Sequence, residues 1–123
     1  MIRRIAVNTG GGDAPGLNAV IRAVAISGMT RGWEVLGIRQ GYRGLLDDPD
    51  GVVCLDRNSV RGIHHRGGTI LGSTNRGDPF NYPVMKGGEL VPTDVSGKII
   101  QRLEELGVDA LVAIGGEDTL GVA

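Results

Sequence analysis

The stretch that decides the fold is Ala110-Leu111-Val112-Ala113-Ile114-Gly115-Gly116-Glu117-Asp118-Thr119. Its first five residues are all apolar, as in a strand of a parallel sheet that is covered on both faces. The next five are two glycines, two carboxylates and a hydroxyl, a combination suited to holding a metal ion beside a phosphate group. A buried strand that ends in such a loop predicts an α/β protein that handles phosphate.

The amino-terminal third repeats the pattern of a strand followed by a loop and a helix. Residues 2–8 are the first predicted strand, residues 9–16 are loop, and apolar residues recur at helical spacing from Leu17 until about residues 28–32. Residues 33–38 then form a second strand. Strand, helix and strand joined by short links predict a βαβ unit with a right-handed crossover.

A second helix is expected directly before the strand at residues 108–114. Thr93 or Asp94 is its predicted cap, and Gly107 suits the position just after its last turn. The apolar side of this helix is formed by Val95, Ile99, Leu103 and Leu106. The whole order of elements predicts an α/β fold with a doubly wound, mostly parallel sheet, in which ligands bind outside the carboxyl ends of the strands.

The middle of the chain gives weaker signals. We expect a short strand at residues 52–55, a short helix at residues 57–65 with Ser59 as a plausible cap, and an irregular surface loop at residues 77–92. Cys54 is expected to be a buried thiol rather than a nucleophile.

The composition excludes several classes of protein. The net charge of -1 gives no electrostatic basis for binding nucleic acid. No apolar run reaches the roughly 18 residues of a transmembrane helix, and the first residues suit a strand better than a signal peptide. Because Cys54 is the only cysteine, no internal disulfide can form, and we expect a cytoplasmic protein.

The loop Thr9–Gly16 is the best candidate for binding an anion. Its glycines allow successive N–H groups to face one point, and the start of the helix adds partial positive charge. Its glycine spacing is one residue too long for the dinucleotide fingerprint, and the second strand ends without an acid for a ribose, which disfavours an NAD-binding domain. No Gly-Lys-Ser/Thr follows, so the loop is not a P-loop.

Two further segments are candidates for the same site. Residues 67–76 are rich in glycine and end in Arg76, which is able to bind a phosphate, although a simple glycine-rich turn explains them equally well. Glu117 and Asp118 beside a phosphate would need a cation between them, and Mg²⁺ is the usual one. Acidic residues in a first helical turn are the alternative explanation for these two carboxylates.

Together, these motifs resemble the phosphofructokinase family. They are GGDAPGLNA at residues 11–19, GGTILGS at residues 67–73 and GGEDT at residues 115–119, with GYRGL at residues 41–45 between them. The resemblance runs from Ile2 to Ala123. It implies phosphoryl transfer to the 1-hydroxyl of fructose 6-phosphate, with Mg²⁺ and with pyrophosphate or ATP as donor.

The resemblance also implies roles for single residues. Arg76 would grip both the donor and the transferring phosphoryl group. The other residues that would bind the donor are Gly12, Gly116, Glu117, Asp118 and Thr119. Glu117 falls where the family usually has a metal-binding Asp, so the metal is assigned to it. Asp118 is expected to be catalytic together with Arg76, and it falls where pyrophosphate-using members have an Asp in the space of the ATP α-phosphate.

The resemblance implies that residues 1–123 are the amino-terminal, donor-binding part of a domain that is incomplete at its carboxyl end. The catalytic aspartate and the sugar-binding residues would follow Ala123, so we expect these 123 residues alone to be inactive and the full-length protein to be a homo-oligomer. Pyrophosphate is the expected donor. The alternatives are an ATP-dependent 6-phosphofructokinase and, in a different class, a non-catalytic nucleotide-binding module.

Overall fold

A computed structural model describes residues 2–10, 16–46, 50–63, 69–72 and 82–115. Its elements in chain order are β1 (Arg4–Thr9), α1 (Leu17–Thr30), β2 (Glu34–Ile38), a short 3-10 helix (Arg43–Leu45), β3 (Val52–Leu55), β4 (Tyr82–Lys86), β5 (Glu89–Thr93), α2 (Ser96–Glu105) and β6 (Ala110–Ile114). Four of these strands form one sheet in the order β3-β2-β1-β6. β1 is parallel to both of its neighbours, and β3 is antiparallel to β2.

The two helices cover opposite faces of this sheet. Ile5 and Val7 of β1 belong to the apolar cluster that contains Ile21 and Ala25 of α1. Ala6, which points to the other face, belongs to the cluster that contains Ile99 of α2. Because side chains alternate along a strand, one strand in the middle of the sheet contributes to both layers of the core. The structure therefore confirms the predicted α/β fold with a mostly parallel sheet.

The carboxyl end of α2 is as the sequence predicted. At its amino end the cap position is Val95, which makes no side-chain cap bond, and the predicted Asp94 lies one residue earlier. Asp94 Oδ1 accepts hydrogen bonds from the Ser96 backbone N–H at 2.9 Å and from the Ser96 hydroxyl at 2.7 Å. Both bonds stabilise the charged carboxylate and lower the pKa of Asp94, with the side-chain bond contributing most. At the other end Gly107 has a φ of 69° and donates its N–H to the Glu104 carbonyl, as a helix-terminating glycine does.

The prediction of an irregular surface loop at residues 77–92 is wrong for residues 82–92, the part of this range that the structure describes. β4 and β5 pair antiparallel as a separate two-stranded ribbon, from Tyr82↔Thr93 to Lys86↔Glu89. Gly87 and Gly88 both have positive φ, of 59° and 85°, which is the backbone of a two-residue hairpin turn whose twist matches the strands. Pro83 and Pro92 are partners in the register of this ribbon.

Two other predictions also differ from the structure. Residues 57–62 form turns rather than a helix, and Ser59 exchanges hydrogen bonds with Asp56: each backbone N–H binds the other side chain, at 2.7 and 2.8 Å. This reciprocal pair closes a local turn without continuing into a helix. Cys54 is exposed instead of buried, because β3 lies at the edge of the sheet.

The amino-terminal end of the sheet is held by polar contacts. Asp109 Oδ2 accepts the backbone N–H groups of Arg3 and Arg4 at 2.8 and 3.0 Å. The Arg4 guanidinium pairs with Glu34 at 2.6 Å and donates to the Leu106 carbonyl. Arg4 therefore ties β1 to β2 and to the end of α2. No helix in the described ranges is long and apolar enough to cross a membrane.

Candidate functional site

The carboxyl ends of β1 and β6 lie side by side. The parallel register ends with Thr9 opposite Ile114, and one further bond follows, from the Gly10 N–H to the Ile114 carbonyl at 2.9 Å. The chain leaves the sheet at Gly10 towards the glycine loop and at Gly115 towards the two carboxylates. Both predicted phosphate loops therefore start from adjacent points, as expected for the ligand-binding edge of a parallel sheet.

The second glycine-rich segment is attached to the same strand end through Thr9, which is fully buried. The Thr9 hydroxyl donates to the Gly72 carbonyl at 3.0 Å and lies 2.9 Å from the Thr69 hydroxyl. Since a hydroxyl has a single proton, Thr69 is the donor in the second bond. Thr69 Oγ1 in turn accepts the Leu71 N–H at 3.2 Å. The bonds form one continuous series, Leu71 to Thr69 to Thr9 to Gly72.

Helix α1 and strand β2 hold the same segment from two other sides. Asn18, in the first turn of α1, accepts the Ile70 N–H on its Oδ1 at 2.6 Å. The Gln40 N–H, just past the end of β2, donates to the Leu71 carbonyl at 2.8 Å. The Leu71 side chain is buried and packs over Gly37, where a Cβ atom would lie 2.6 Å from its Cδ2. Residues 69–72 are thus fixed against three elements.

The loop after β2 packs on the same side of the sheet as α2. Tyr42 is buried among the apolar residues there. Burial raises the pKa of the Tyr42 hydroxyl, while its contact with the Asn8 side chain lowers it. Asn8 is fully buried, and neither polar atom of its amide has a hydrogen bond of good geometry within the described residues.

Helix α1 begins beside these loops without a side-chain cap. Gly16 precedes its first residue with a φ of 91°, and no side chain of the described residues bonds to the first N–H groups of the helix. Its first turn also holds no acidic residue. The partial positive charge at this end is consequently not offset by a carboxylate in the helix itself, which suits an anion.

The residues that the sequence assigns to the donor and the metal lie outside the described ranges: Gly12, Arg76, Gly116, Glu117, Asp118 and Thr119. The length of the chain still limits how far they can be from the described anchors. Gly12 is two residues from Gly10, and an extended chain spans at most about 3.6 Å per residue, so the limit is about 7 Å. Arg76 is the fourth residue after Gly72, which gives about 14 Å.

Sequence reasoning missed the side chains that join these loops. The sequence gives Asn18 no role beyond its place in the motif at residues 11–19, and it places Thr9 and Thr69 in loops without roles of their own. A signal did exist for Thr9, because it follows an apolar strand and such positions at the carboxyl end of a strand face the ligand edge. No group of three or more His, Cys, Asp or Glu side chains in the part of the chain that the structure describes is arranged to hold a metal.

Known proteins match the chain over nearly its whole length. An "ATP-dependent 6-phosphofructokinase 2" of Clostridium perfringens is 52% identical over 121 residues, which are 97% of this chain and 32% of that protein. A "Pyrophosphate--fructose 6-phosphate 1-phosphotransferase" of Amycolatopsis methanolica is 51% identical over 121 residues, 98% of this chain and 32% of that protein. The chain therefore spans about a third of the length of these relatives.

Solved structures give the same result for the fold. The chain is similar to phosphofructokinase from Pichia pastoris in its T-state, with a TM-score of 0.81 and 33% identity over 99% of this chain and 12% of that one. It is also similar to phosphofructokinase from Saccharomyces cerevisiae, with a TM-score of 0.79 and 34% identity. The sequence model described as Phosphofructokinase matches residues 4–123. The chain belongs to the phosphofructokinase family.

Proposed function

We propose that the protein containing this chain is a 6-phosphofructokinase, which transfers a phosphoryl group to the 1-hydroxyl of fructose 6-phosphate. One observation carries this proposal beyond family membership. The loops after Gly10 and Gly115 start from the carboxyl end of one strand pair, and the segment Thr69–Gly72 is hydrogen-bonded to that end through Thr9. A site for phosphoryl transfer works mainly by positioning and by stabilising charge, and such a convergence provides the positions.

Each predicted residue has a defined task in this proposal. Gly12 and Gly116 let the backbone approach the donor phosphates closely, and Thr119 contacts the donor. Arg76 holds the donor and the moving phosphoryl group with its planar guanidinium. Glu117 is the proposed ligand for Mg²⁺, because carboxylate oxygens are what this ion prefers. When bound, Mg²⁺ neutralises charge that develops on the phosphate oxygens.

We propose pyrophosphate as the donor because of Asp118. A carboxylate in the space of the ATP α-phosphate would repel that phosphate by several kcal/mol in a site with little water. The relatives include enzymes named for each donor. The ATP-dependent reaction is therefore the second candidate, and it is supported by the larger number of relatives with ATP in their names.

Donor selectivity is tested on the full-length product with fructose 6-phosphate and Mg²⁺, comparing pyrophosphate with ATP. We expect turnover with pyrophosphate and little with ATP. Asp118→Gly removes the carboxylate and is expected to raise kcat/KM for ATP at least about ten-fold, which corresponds to about 1.4 kcal/mol. Asp118→Asn, which keeps the size and removes the charge, separates repulsion from steric exclusion. Efficient use of ATP by the unmodified enzyme would show that the assignment of pyrophosphate as donor is wrong. The assignment of the protein as a 6-phosphofructokinase would be unaffected.

The remaining expectations concern the protein beyond these residues. We propose that residues 1–123 alone have no turnover, that the full-length protein is a cytoplasmic homo-oligomer, and that it binds neither nucleic acid nor membrane. A non-catalytic nucleotide-binding module is the alternative from another class. Binding of a donor by the full-length product without any transfer to fructose 6-phosphate would favour that module.

A further inference from the structure

The segment Thr69–Gly72 has no regular secondary structure, yet four of its contacts come from three different elements. Its backbone N–H and C=O groups bond to Asn18 and Gln40, and its Leu71 side chain packs over Gly37. Among the described residues, the two hydrogen bonds of the Thr9 hydroxyl join it to the strand from which the glycine loop departs. Thr9 is therefore the direct link between the two loops that the proposed function assigns to the donor.

We propose that Thr9 is a positioning residue of the donor site, and that its buried hydroxyl holds the segment Thr69–Gly72 in register with the end of β1. This inference rests on the proposed function, in which Arg76 and Gly12 bind the same phosphoryl donor. The chain reaches Gly12 three residues after Thr9 and Arg76 four residues after Gly72. A shift between these two anchors would misalign two residues that are proposed to bind the same donor.

The geometry accounts for a hydroxyl at this position. Thr9 donates to the Gly72 carbonyl and accepts from Thr69, so its oxygen uses both kinds of hydrogen bond. Its complete burial means that no water can replace either partner. Valine has nearly the same shape, but it would leave the Gly72 carbonyl and the Thr69 hydroxyl without these bonds. Serine would keep both bonds and lose only a methyl group.

The test uses full-length Thr9→Val and Thr9→Ser variants, with Thr30→Val as a matched control. Thr30 also has a hydroxyl that bonds to a backbone carbonyl, that of Ile26, but it is exposed at the far end of α1. For Thr9→Val we expect kcat with the preferred donor to fall at least about ten-fold, with KM for fructose 6-phosphate changed less than about two-fold. Thr9→Ser and Thr30→Val are expected to keep kcat within about three-fold of the unmodified enzyme.

Amide hydrogen exchange provides a readout that does not depend on activity. The Leu71 N–H donates to Thr69 and the Ile70 N–H to Asn18, so both amides should exchange faster in Thr9→Val and at the original rate in Thr30→Val. If the unmodified enzyme transfers phosphate from neither donor, the proposed function is wrong. Independently of that result, unchanged amide exchange in Thr9→Val would overturn the anchoring role of Thr9.

Two activity results would overturn the proposal. Thr9→Val with the original kcat would show that the hydroxyl is not needed, and a Thr9→Ser variant as impaired as Thr9→Val would show that the methyl group matters instead. If Thr9→Val fails to fold, Thr69→Val replaces it, since Thr69 is partly exposed and its loss breaks the same series of bonds. The same fall in kcat is then expected, and an unchanged kcat in Thr69→Val would contradict the proposal.

Discussion

Two glycine backbones lie in direct contact where the loop after β2 meets the residue before β3. A Cβ atom on Gly44 would lie against the Gly51 carbonyl oxygen, and 2.7 and 2.9 Å from the Arg39 carbonyl oxygen and nitrogen. The Arg39 N–H bonds to the Gly51 carbonyl and the Gly44 N–H bonds to the Arg39 carbonyl, at 2.7 and 3.0 Å. All these neighbours are backbone atoms, so the clash with a Cβ atom at Gly44 cannot be relieved by the movement of a flexible side chain.

We therefore expect Gly44→Ala to lower the free energy of unfolding by at least about 2 kcal/mol, through strain and the loss of buried backbone hydrogen bonds. Urea denaturation measures this change in the free energy of unfolding. Gly97→Ala is the matched control, because a Cβ atom at Gly97 meets nothing within 4 Å and Gly97 lies in α2. The control should raise stability by a few tenths of a kcal/mol up to about 1 kcal/mol. Equal stabilities for the two variants would contradict the contact at Gly44.

Asp109 shows how one side chain can make stability depend on pH. Its carboxylate accepts the N–H groups of Arg3, the larger effect, and of Arg4, and both bonds lower its pKa below the ordinary value of 3.8. The stabilisation is complete above the pKa of the unfolded chain and is lost as the pH falls through the lower pKa of the folded protein.

We expect Asp109→Asn to be less stable than the unmodified chain at pH 7, with a difference that shrinks as the pH falls below about 3.8. Denaturation at a series of pH values measures this difference, and NMR titration of the Asp109 carboxyl should place its pKa below 3.8. A difference that stays constant between pH 7 and pH 2 would show that the hydrogen bonds to the carboxylate do not contribute.

At the scale of elements, the pattern of apolar residues was sufficient to predict the strands and helices that bury one or two faces. β1, α1, β2, β3, α2 and β6 all lie within a few residues of their predicted positions, because burial imposes the period of each element. The hairpin of β4 and β5 was missed for a physical reason. Leu90 and Val91 of β5 are exposed, so no alternation between core and solvent marks that strand.

The candidate site was predictable only in part. The glycine motifs indicated which loops contain the chemistry, and the parallel sheet indicated that the loops after β1 and β6 would meet. The attachment of Thr69–Gly72 was not predictable, because it depends on contacts between residues 52 to 63 positions apart in the chain. Such contacts leave no periodic trace in a single sequence.

At the scale of the whole molecule, the two ends of the sheet have different tasks. The amino-terminal end contains the ion pair of Arg4 with Glu34 and the carboxylate of Asp109. The carboxyl-terminal end contains Thr9 and the starts of the loops proposed to bind the donor. Contacts at the first end should therefore affect stability alone, whereas those at the second should affect catalysis.

Arg4→Ala tests this division in the full-length product. We expect a loss of about 1 kcal/mol in the free energy of unfolding, since a half-exposed ion pair and one hydrogen bond to a carbonyl are removed. The kcat should stay unchanged at temperatures where the enzyme is folded. Arg57→Ala removes an exposed arginine from the turn after β3 and should change neither quantity. A fall in kcat for Arg4→Ala without a change in stability would contradict the division.

The exposed thiol on the edge strand β3 has a practical consequence. Cys54 is the single cysteine in these 123 residues, and it is exposed on a strand that pairs only with β2 in the described sheet. A maleimide dye or a nitroxide attached there would mark one known position, two strands away from the strand that ends at Thr9. Such a label would report the assembly of the sheet by fluorescence or spin resonance without a substitution in the core.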